Sequence, residues 1–282
     1  GEDGTGENNN DIDLAGSEPV HLIIGGVYKN GDVESKVVLG KASPDDPNMI
    51  YNVETTSEIK ANILSNRHSN CEATIKFSES DEDSINKNID RIVKHATDDS
   101  AMLAGKVSLD LSTVGKYLSP HYHLDLSGEE YENKTVYITV DQDSDIAKAI
   151  ASTGSFHLKK RSSTVVVMNV TATSNSGDEL DIVKYFVSVR KEDGTFTDEI
   201  SSGDQTHSGQ DSQHNRDIDN EICQKVIWNV INATNVRIDN CAGAFIVPQS
   251  EAKVSVGSSA GWLVTPGEVK NHAEWHYIYK GR

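Results

Sequence analysis

The chain has 282 residues, a pI near 4.9 and a formal net charge of -18 at pH 7, because 44 Asp and Glu residues outnumber 26 Lys and Arg residues. Such an excess of negative charge repels phosphate backbones and anionic lipids, so we expect no nucleic acid partner and no direct membrane docking. No stretch of the sequence reaches the roughly 18 to 20 consecutive apolar residues that a membrane helix needs, so we expect no membrane insertion.

The start of the chain predicts a flexible N-terminal tail over residues 1–18. This segment is rich in Gly, Asn and acidic residues and contains little to bury, so ordering it would cost backbone entropy without return. It also lacks the basic and apolar regions of a signal peptide. We therefore expect a mature, secreted fragment whose signal peptide and anchor lie outside it, with residues 19–282 forming a single domain.

The first apolar runs after the tail are His21–Val27 and Val37–Leu39, on either side of a polar turn at Lys29–Asp32. This pattern predicts a hairpin or the first coil of a larger β structure. The spacing of the apolar residues changes from Ser78 onward, where acidic residues follow a serine that can cap a helix. Apolar residues then recur at helical spacing and predict one amphipathic helix over about residues 80–97, with a stripe formed by Ile85, Ile89, Ile92, Val93 and Ala96.

Strand patterns dominate the middle of the chain. Apolar and polar residues alternate, as in half-buried strands, over Val107–Leu111, His121–Leu126 and Val136–Val140. The nearly continuous apolar run Val165–Val170 predicts a central strand. The pattern weakens over about 174–222, which we interpret as a polar insertion that holds a strand at Ile182–Val189. Residues 201–220 are almost wholly polar, which is typical of a partner-facing loop or of a tolerated insertion.

The last part of the chain has the most informative pattern. Short apolar runs recur every ~8 to 12 residues and are separated by Asn, Asp, Gly, Ser and Pro, which is the strand-and-turn spacing of an all-β chain. Each run is too short for a stable helix. The predicted strands lie at Val226–Trp228, Ala244–Val247, Val254–Val256 and Trp262–Val264.

Several short segments together resemble the choice-of-anchor A domain, a domain of secreted bacterial surface proteins. The segments are Lys225–Asn229 (KVIWN), Asn232–Thr234 (NAT), Gly243–Pro248 (GAFIVP), Gly261–Leu263 and Glu274–His276 (EWH), with weaker matches at Gly25–Tyr28 and Asp32–Gly40, in the helical segment, and around Val136–Val140 and Val165–Val170. The resemblance implies a parallel β-solenoid (β-helix) with one amphipathic helix packed along its side, similar to ice-binding proteins. The alternative is a β-sandwich with a helical crossover.

Two groups of residues have the chemistry of metal ligands, and neither fits a known site. Asp141, Asp143 and Asp145 begin like a calcium loop, but the glycine and the distal glutamate of that loop are absent. A solvated acidic turn is the favoured interpretation, with calcium binding as the alternative. His272 and His276 lack the spacing of a zinc protease and are too far apart on a strand to share one metal. We therefore predict no metal site, no cofactor and no catalytic residue.

The three cysteines, Cys71, Cys223 and Cys241, are too few for a disulfide scaffold and too scattered for a zinc ribbon. Cys223 and Cys241 are separated by roughly one solenoid coil, so a disulfide between adjacent coils is one possibility. Buried thiols that act as small apolar side chains are the commoner alternative.

Taken with the resemblance, these patterns favour a non-catalytic adhesin or adhesin-like display domain on the surface of a Gram-positive bacterium. The expected partner is a host extracellular matrix protein, a glycan or another bacterial surface component. One alternative is a carbohydrate-active enzyme similar to a polysaccharide lyase, because such enzymes also use parallel β-helices. The third hypothesis is an ice-binding protein, although the threonines do not form the regular array that ice binding requires.

Overall fold

The computed structural model describes residues 20–24, 29–30, 33–34, 50–65, 74–171, 179–197, 200–201, 222–272 and 275–276. The predicted tail at 1–18, the polar segment 202–221 and Cys71 lie outside the described residues. The chain divides into two compact units, Asn9–Lys94 and His95–Tyr279, which are described separately. The expectation of a single domain over 19–282 stays a prediction.

The smaller unit contains a three-stranded parallel sheet with one helix against it. Its elements are β1 (Val20–Ile24), β2 (Lys29–Asn30), β3 (Val33–Glu34), β4 (Ile50–Thr55), α1 (Ser57–Ser65) and β5 (Thr74–Glu79). The sheet order is β1-β4-β5, and a short antiparallel pair, β2-β3, lies near the polar turn where a hairpin was predicted. Helix α1 packs on β5 through Lys60, whose ammonium group pairs with Glu79 and lies 5.5 Å from the ring centre of Phe77.

The predicted amphipathic helix is present as α2 (Glu82–Ala104), and it continues beyond residue 97. Its residues up to Lys94 belong to the smaller unit, and those from His95 belong to the larger unit. Ser100 and Leu103 extend the buried stripe by one more turn, which explains the extra length. Ile92 lies off this stripe and is 47% exposed, so its assignment to the apolar face was wrong.

The larger unit consists mainly of strands that are arranged in three sheets. Its elements are β6 (Gly115–Leu118), β7 (His121–Leu126), a 3-10 turn at Glu129–Tyr131, β8 (Thr135–Val140), α3 (Asp145–Ile150), β9 (Phe156–Arg161), β10 (Val165–Val170), β11 (Glu179–Val183), β12 (Phe186–Arg190), β13 (Ile200–Ser201), β14 (Val226–Val230), β15 (Asn235–Asp239), β16 (Ala242–Ile246), β17 (Lys253–Val256), β18 (Ser259–Val264), β19 (Glu268–Asn271) and β20 (Trp275–His276).

Parallel pairing dominates all three sheets. The six-stranded sheet has the order β20-β18-β16-β14-β10-β8, and the four-stranded sheet has the order β11-β15-β17-β19, both wholly parallel. The five-stranded sheet has the order β13-β12-β9-β7-β6, in which β7, β9 and β12 are parallel and the two edge strands are antiparallel. This pattern argues against a sandwich of antiparallel sheets.

One continuous core lies on the inner sides of these sheets and contains side chains from all three of them. Trp228 is fully buried, with Tyr185 and Phe156 packed edge-on at ring-centre distances of 5.4 and 6.3 Å. Helix α3 contacts β7, β9 and β11, so its buried apolar face contributes to the same core. Burying this aromatic and aliphatic surface is the main source of stability for the unit.

A buried polar network joins the end of α2 to the six-stranded sheet. The Asn229 amide donates to Asn169 Oδ1 at 2.8 Å and to the Ser100 carbonyl at 3.0 Å, and it accepts from Ser100 Oγ at 2.5 Å. Asn169 in turn donates to the Leu103 carbonyl at 3.0 Å. Asn169 and Asn229 are register partners on adjacent parallel strands. Their side-chain amides are therefore linked in one continuous chain of hydrogen bonds.

Two predicted elements differ from the structure. Val107–Leu111 is not a strand; it runs along the edge of β8, where Leu109 N donates to the Tyr137 carbonyl at 2.8 Å and Ser108 Oγ accepts from Thr139 N at 2.8 Å. Within the predicted polar insertion, the single strand expected at Ile182–Val189 is instead two strands, β11 and β12, which belong to different sheets and contribute to the core. A turn at Lys191–Thr195 follows β12 and is closed by a 2.8 Å bond from Lys191 N to the Thr195 carbonyl.

Among the described residues, none of the helices has the length and apolar content that crossing a lipid bilayer requires.

Candidate functional site

The strongest candidate site is the outer surface of the five-stranded sheet. Side chains alternate along each strand, so Tyr122, Leu124 and Leu126 of β7 point into the core while the residues between them point outward. Strand β9 repeats this pattern, with Phe156, Leu158 and Lys160 buried. We call the outward surface the histidine face and define it by Lys116, His121, His123, Asp125, His157, Lys159, Arg161, Phe186, Arg190 and Phe196.

Three histidines meet at the centre of the histidine face. The rings of His123 and His157, which are register partners on β7 and β9, stack with centres 4.5 Å apart and planes inclined by 27°. His121 approaches the ring of His157 edge-on at 5.1 Å. His121 Nδ1 and His157 Nε2 are 3.3 Å apart and share a hydrogen bond, so one of these two nitrogens carries the proton and the other accepts it.

The stack of rings continues onto the next strand. Phe186 of β12 is the register partner of His157, and the centres of their rings lie 5.1 Å apart with planes inclined by 30°. His123, His157 and Phe186 therefore form a row that crosses three parallel strands. The row is held by contacts between neighbouring rings, and each imidazole contributes two ring nitrogens that can donate or accept hydrogen bonds.

Cationic side chains lie beside this row and around one exposed aromatic ring. Lys159 Nζ lies 4.3 Å from the ring centre of Phe196, and the Arg190 guanidinium lies 5.8 Å from it. Phe196 is 41% exposed, and its backbone bridges to Arg190 across the turn that follows β12. The ring thus attracts two positive charges by cation–π interaction, and the Arg190 guanidinium also donates to the Ser127 carbonyl at 3.1 Å.

The histidine face carries four cationic side chains on an otherwise acidic chain. Its cations are Lys116, Lys159, Arg161 and Arg190, and the neighbouring carboxylates are Asp125, 4.0 Å from Lys159, and Glu132, 2.9 Å from Arg161. Lys116 pairs with His123 across the antiparallel edge of the sheet, so the two side chains lie on the same side. Two of the four cations are therefore paired with carboxylates.

Burial and nearby carboxylates change the pKa values of two tyrosines that lie beneath and beside this face. Burial, assisted by the charge of Asp145, raises the pKa of Tyr122 above its ordinary value. Burial also raises the pKa of Tyr131, with smaller contributions from Glu130 and Asp125. Both phenols therefore stay neutral and protonated over the physiological pH range.

The aspartates that were candidates for calcium binding lie in the turn before α3. Asp141 and Asp143 are exposed, and Asp145 lies in the first turn of the helix, 3.8 Å from Lys148. Ser144 caps the helix by accepting from Ala147 N at 3.2 Å. In the part of the chain that the structure describes, no group of three or more His, Cys, Asp or Glu side chains is placed to hold a metal ion.

The other residues singled out in the sequence do not converge on a site. His272 is exposed after β19, and its backbone N donates to the Val256 carbonyl at 2.9 Å. His276 lies in β20, and its side chain and Glu274 lie outside the described residues. Cys223 and Cys241 are both buried thiols, and Cys241 Sγ donates to the Ile182 carbonyl at 3.4 Å, so the alternative of a disulfide is excluded and the favoured interpretation, buried thiols, is confirmed.

The histidine face was missed in the sequence, although a signal for it exists. His121 and His123 are two residues apart on one predicted strand, which places both on the same side of it. His157 lies 36 residues from His121, in a segment for which no strand was predicted. Only the parallel pairing of β7 with β9 brings the three rings together.

Comparison with protein-family models, with curated proteins and with solved structures finds no match to this chain. The resemblance to the choice-of-anchor A domain therefore stays a prediction.

Proposed function

We propose that this chain is a non-catalytic binding domain, displayed outside a bacterial cell as an adhesin or adhesin-like module. The observation that carries the proposal is the histidine face, a sheet surface where stacked rings and cations gather on an acidic protein. Such a surface suits adhesion to a host matrix protein or glycan, because a flat sheet can contact an extended ligand over several strands at once. Secretion and cell-surface display are implied by the resemblance to the choice-of-anchor A domain.

We also propose that the larger unit winds as a β-solenoid. Going along the chain, β9, β10 and β11 visit the five-, six- and four-stranded sheets in turn, and β12, β14 and β15 visit them again in the same order. Ala242 pairs with Ala260 and Asn235 with Lys253, each 18 residues apart, as expected for successive coils. Coils of this kind distribute a pulling force over many backbone hydrogen bonds, which suits adhesion.

A binding array tests the function. Labelled protein is applied to immobilised matrix proteins, mucins and acidic and neutral glycans, and the same reactions are analysed for shortened glycan chains. We expect saturable binding to at least one matrix component and unchanged glycan length. Absence of binding to every surface would contradict the adhesin proposal, and shortened chains would favour the lyase-like alternative. Thermal hysteresis measured on the same protein tests the ice-binding alternative, and we expect none.

A further inference from the structure

We infer that the chain forms a two-fold dimer in which β19 of one copy pairs antiparallel with β19 of a second copy, centred on Val269. This inference goes beyond the proposed function, because it concerns self-association and does not depend on the histidine face. Three observations support it: the open edge at β19, an apolar side chain that this edge leaves partly exposed, and the opposite charges on either side of that side chain.

Strand β19 is an edge strand of the four-stranded sheet, and its neighbour is β17. The backbone N–H of Glu268 donates to the Ala252 carbonyl at 2.8 Å. The N–H of His272 donates to the Val256 carbonyl at 2.9 Å. Backbone groups point to alternate sides along a strand, so those of Val269 point away from β17. Among the strands that the structure describes, none lies beyond β19. The N–H and carbonyl of Val269 are therefore directed toward the place where a further strand would pair.

The valine at the centre of β19 occupies a position where the other strands of this sheet bury their side chains. Val269 is the register partner of Val254, which is linked through Val236 to Leu180 in one row across the sheet. The three side chains of the inner strands are no more than 2% exposed, whereas Val269 is 45% exposed. Within the described ranges, the inner row thus ends in an apolar side chain that no strand covers. Burying this surface against another strand is favourable.

The charges on β19 identify the added strand as a second copy of the chain. Glu268 and Lys270 flank Val269, and their side chains are 56% and 67% exposed. In an antiparallel pair centred on Val269, Glu268 of each copy lies opposite Lys270 of the other, so two ion pairs form symmetrically. A parallel pair in the same register would instead place like charges opposite each other.

The neighbours of these two charges do not oppose the arrangement. On β17 the register partners are Lys253 beside Glu268 and Ser255 beside Lys270, so neither charge has a like charge next to it across the sheet. Within one chain, Lys270 Nζ already lies 3.9 Å from Glu268 Oε1. A contact this long and this exposed contributes little, so exchanging it for a pair with the second copy costs little.

Charged residues on an edge strand usually prevent a further strand from pairing. That protection works when like charges meet or when a charge points inward. Strand β19 instead has opposite charges on its outer side and a valine on its inner side. The contact is small because the strand has only four residues, so we expect a weak dimer in the range of transient complexes.

Sedimentation velocity of the 282-residue chain tests the inference. At about 0.15 M salt we expect a monomer–dimer equilibrium with a Kd on the order of 10 to 100 µM. At about 0.01 M salt the Debye length reaches about 30 Å. Repulsion between two chains of net charge -18 should then weaken the dimer.

Charge-reversal variants test the register. Glu268→Lys brings lysine opposite Lys270, and Lys270→Glu brings glutamate opposite Glu268, so each variant alone should dimerise at least about tenfold more weakly than the wild type. An equimolar mixture of the two variants restores both ion pairs and should form a mixed dimer with about the wild-type Kd. Glu179→Lys, on the opposite edge strand of the same sheet, is the matched control and should leave the Kd unchanged. Circular dichroism and thermal melting confirm that each variant is folded.

Hydrogen exchange of single amides, followed by NMR, locates the contact without a substitution. The Val269 amide should exchange more slowly at about 500 µM than at about 5 µM protein, because pairing gives it an acceptor. The Glu268 amide, which already donates to the Ala252 carbonyl, should exchange at the same rate at both concentrations.

Several outcomes would overturn the inference. A chain that stays monomeric at about 500 µM in about 0.15 M salt would refute it. Slow exchange of the Val269 amide in the monomer would also refute it, because residues of the same chain would then cover the edge. Association that neither charge reversal weakens, or that Glu179→Lys weakens equally, would place the contact elsewhere. Failure of the mixed variants to dimerise would contradict the antiparallel register. Absence of matrix binding in the array would leave the dimer unaffected, so the two proposals fail separately.

Discussion

At the scale of single residues, the fold depends on positions that accept only one type of residue. Gly261 has φ +115°, and a Cβ atom built on it would lie 2.0 Å from the Gly243 carbonyl oxygen and 3.0 Å from Cys223 Sγ. Gly243 and Gly261 are register partners on β16 and β18, so the two strands approach closely at this point. Glycine is required there both by backbone conformation and by space.

We expect Gly261→Ala to destabilise the protein by about 2 to 4 kcal/mol, because a strained backbone and a clash with a buried carbonyl occur together. Gly105→Ala is the matched control, since its Cβ atom would approach nothing closer than 3.6 Å. Urea unfolding measures both variants. Equal stability of the two variants would mean that β16 and β18 do not approach each other as described.

At the scale of elements, α2 is the part that the sequence predicted best. Its apolar stripe recurs at helical spacing, and its first turn is acidic, so local information was sufficient. Asp81 precedes the helix and accepts from Ser84 N and from Ser84 Oγ, both at 2.9 Å. The backbone bond and then the side-chain bond lower the pKa of Asp81 below its ordinary value.

This lowered pKa gives the helix cap a pH dependence. A carboxylate with a lower pKa in the folded chain stabilises the fold above its unfolded pKa of about 4, and this contribution is lost as the pH falls through the folded value. We expect the melting temperature of Asp81→Asn to decline less between about pH 5 and pH 3 than that of the wild type. Asp90→Asn, an exposed change within the helix, should follow the wild type. The same pH dependence in wild type and Asp81→Asn would contradict the capping role.

The strands were less predictable than the helix. Alternation and turn spacing located β7, β8, β10 and the C-terminal strands, because these signals are local. They did not locate β9, because its lysine-rich end is not typical of a core strand, although Lys160 is fully buried in the structure. These signals also wrongly predicted a strand at Val107–Leu111. This segment has the alternation of a strand, but it only runs along the edge of β8.

At the scale of the whole molecule, sequence patterns could not fix which strands pair. Leu124 pairs with Leu158, Leu158 with Val187 and Val166 with Val226, so the separation between partners changes from 34 to 29 to 60 residues. A chain with such unequal connections has no fixed repeat for sequence analysis to detect. The histidine face depends entirely on these long-range pairings, which is why it became visible only in the structure.

The central claim is that ligands are bound on the outer surface of the five-stranded sheet, and amide hydrogen exchange with and without a saturating matrix component from the binding array tests it most directly. Strands β7, β9 and β12 should exchange more slowly when that component is bound, most strongly at His121–Leu126 and Phe156–Arg161. The four-stranded sheet, including Asn235–Asp239 and Lys253–Val256, should exchange at the same rate in both samples. Protection confined to the four-stranded sheet, or no protection at all, would contradict the account.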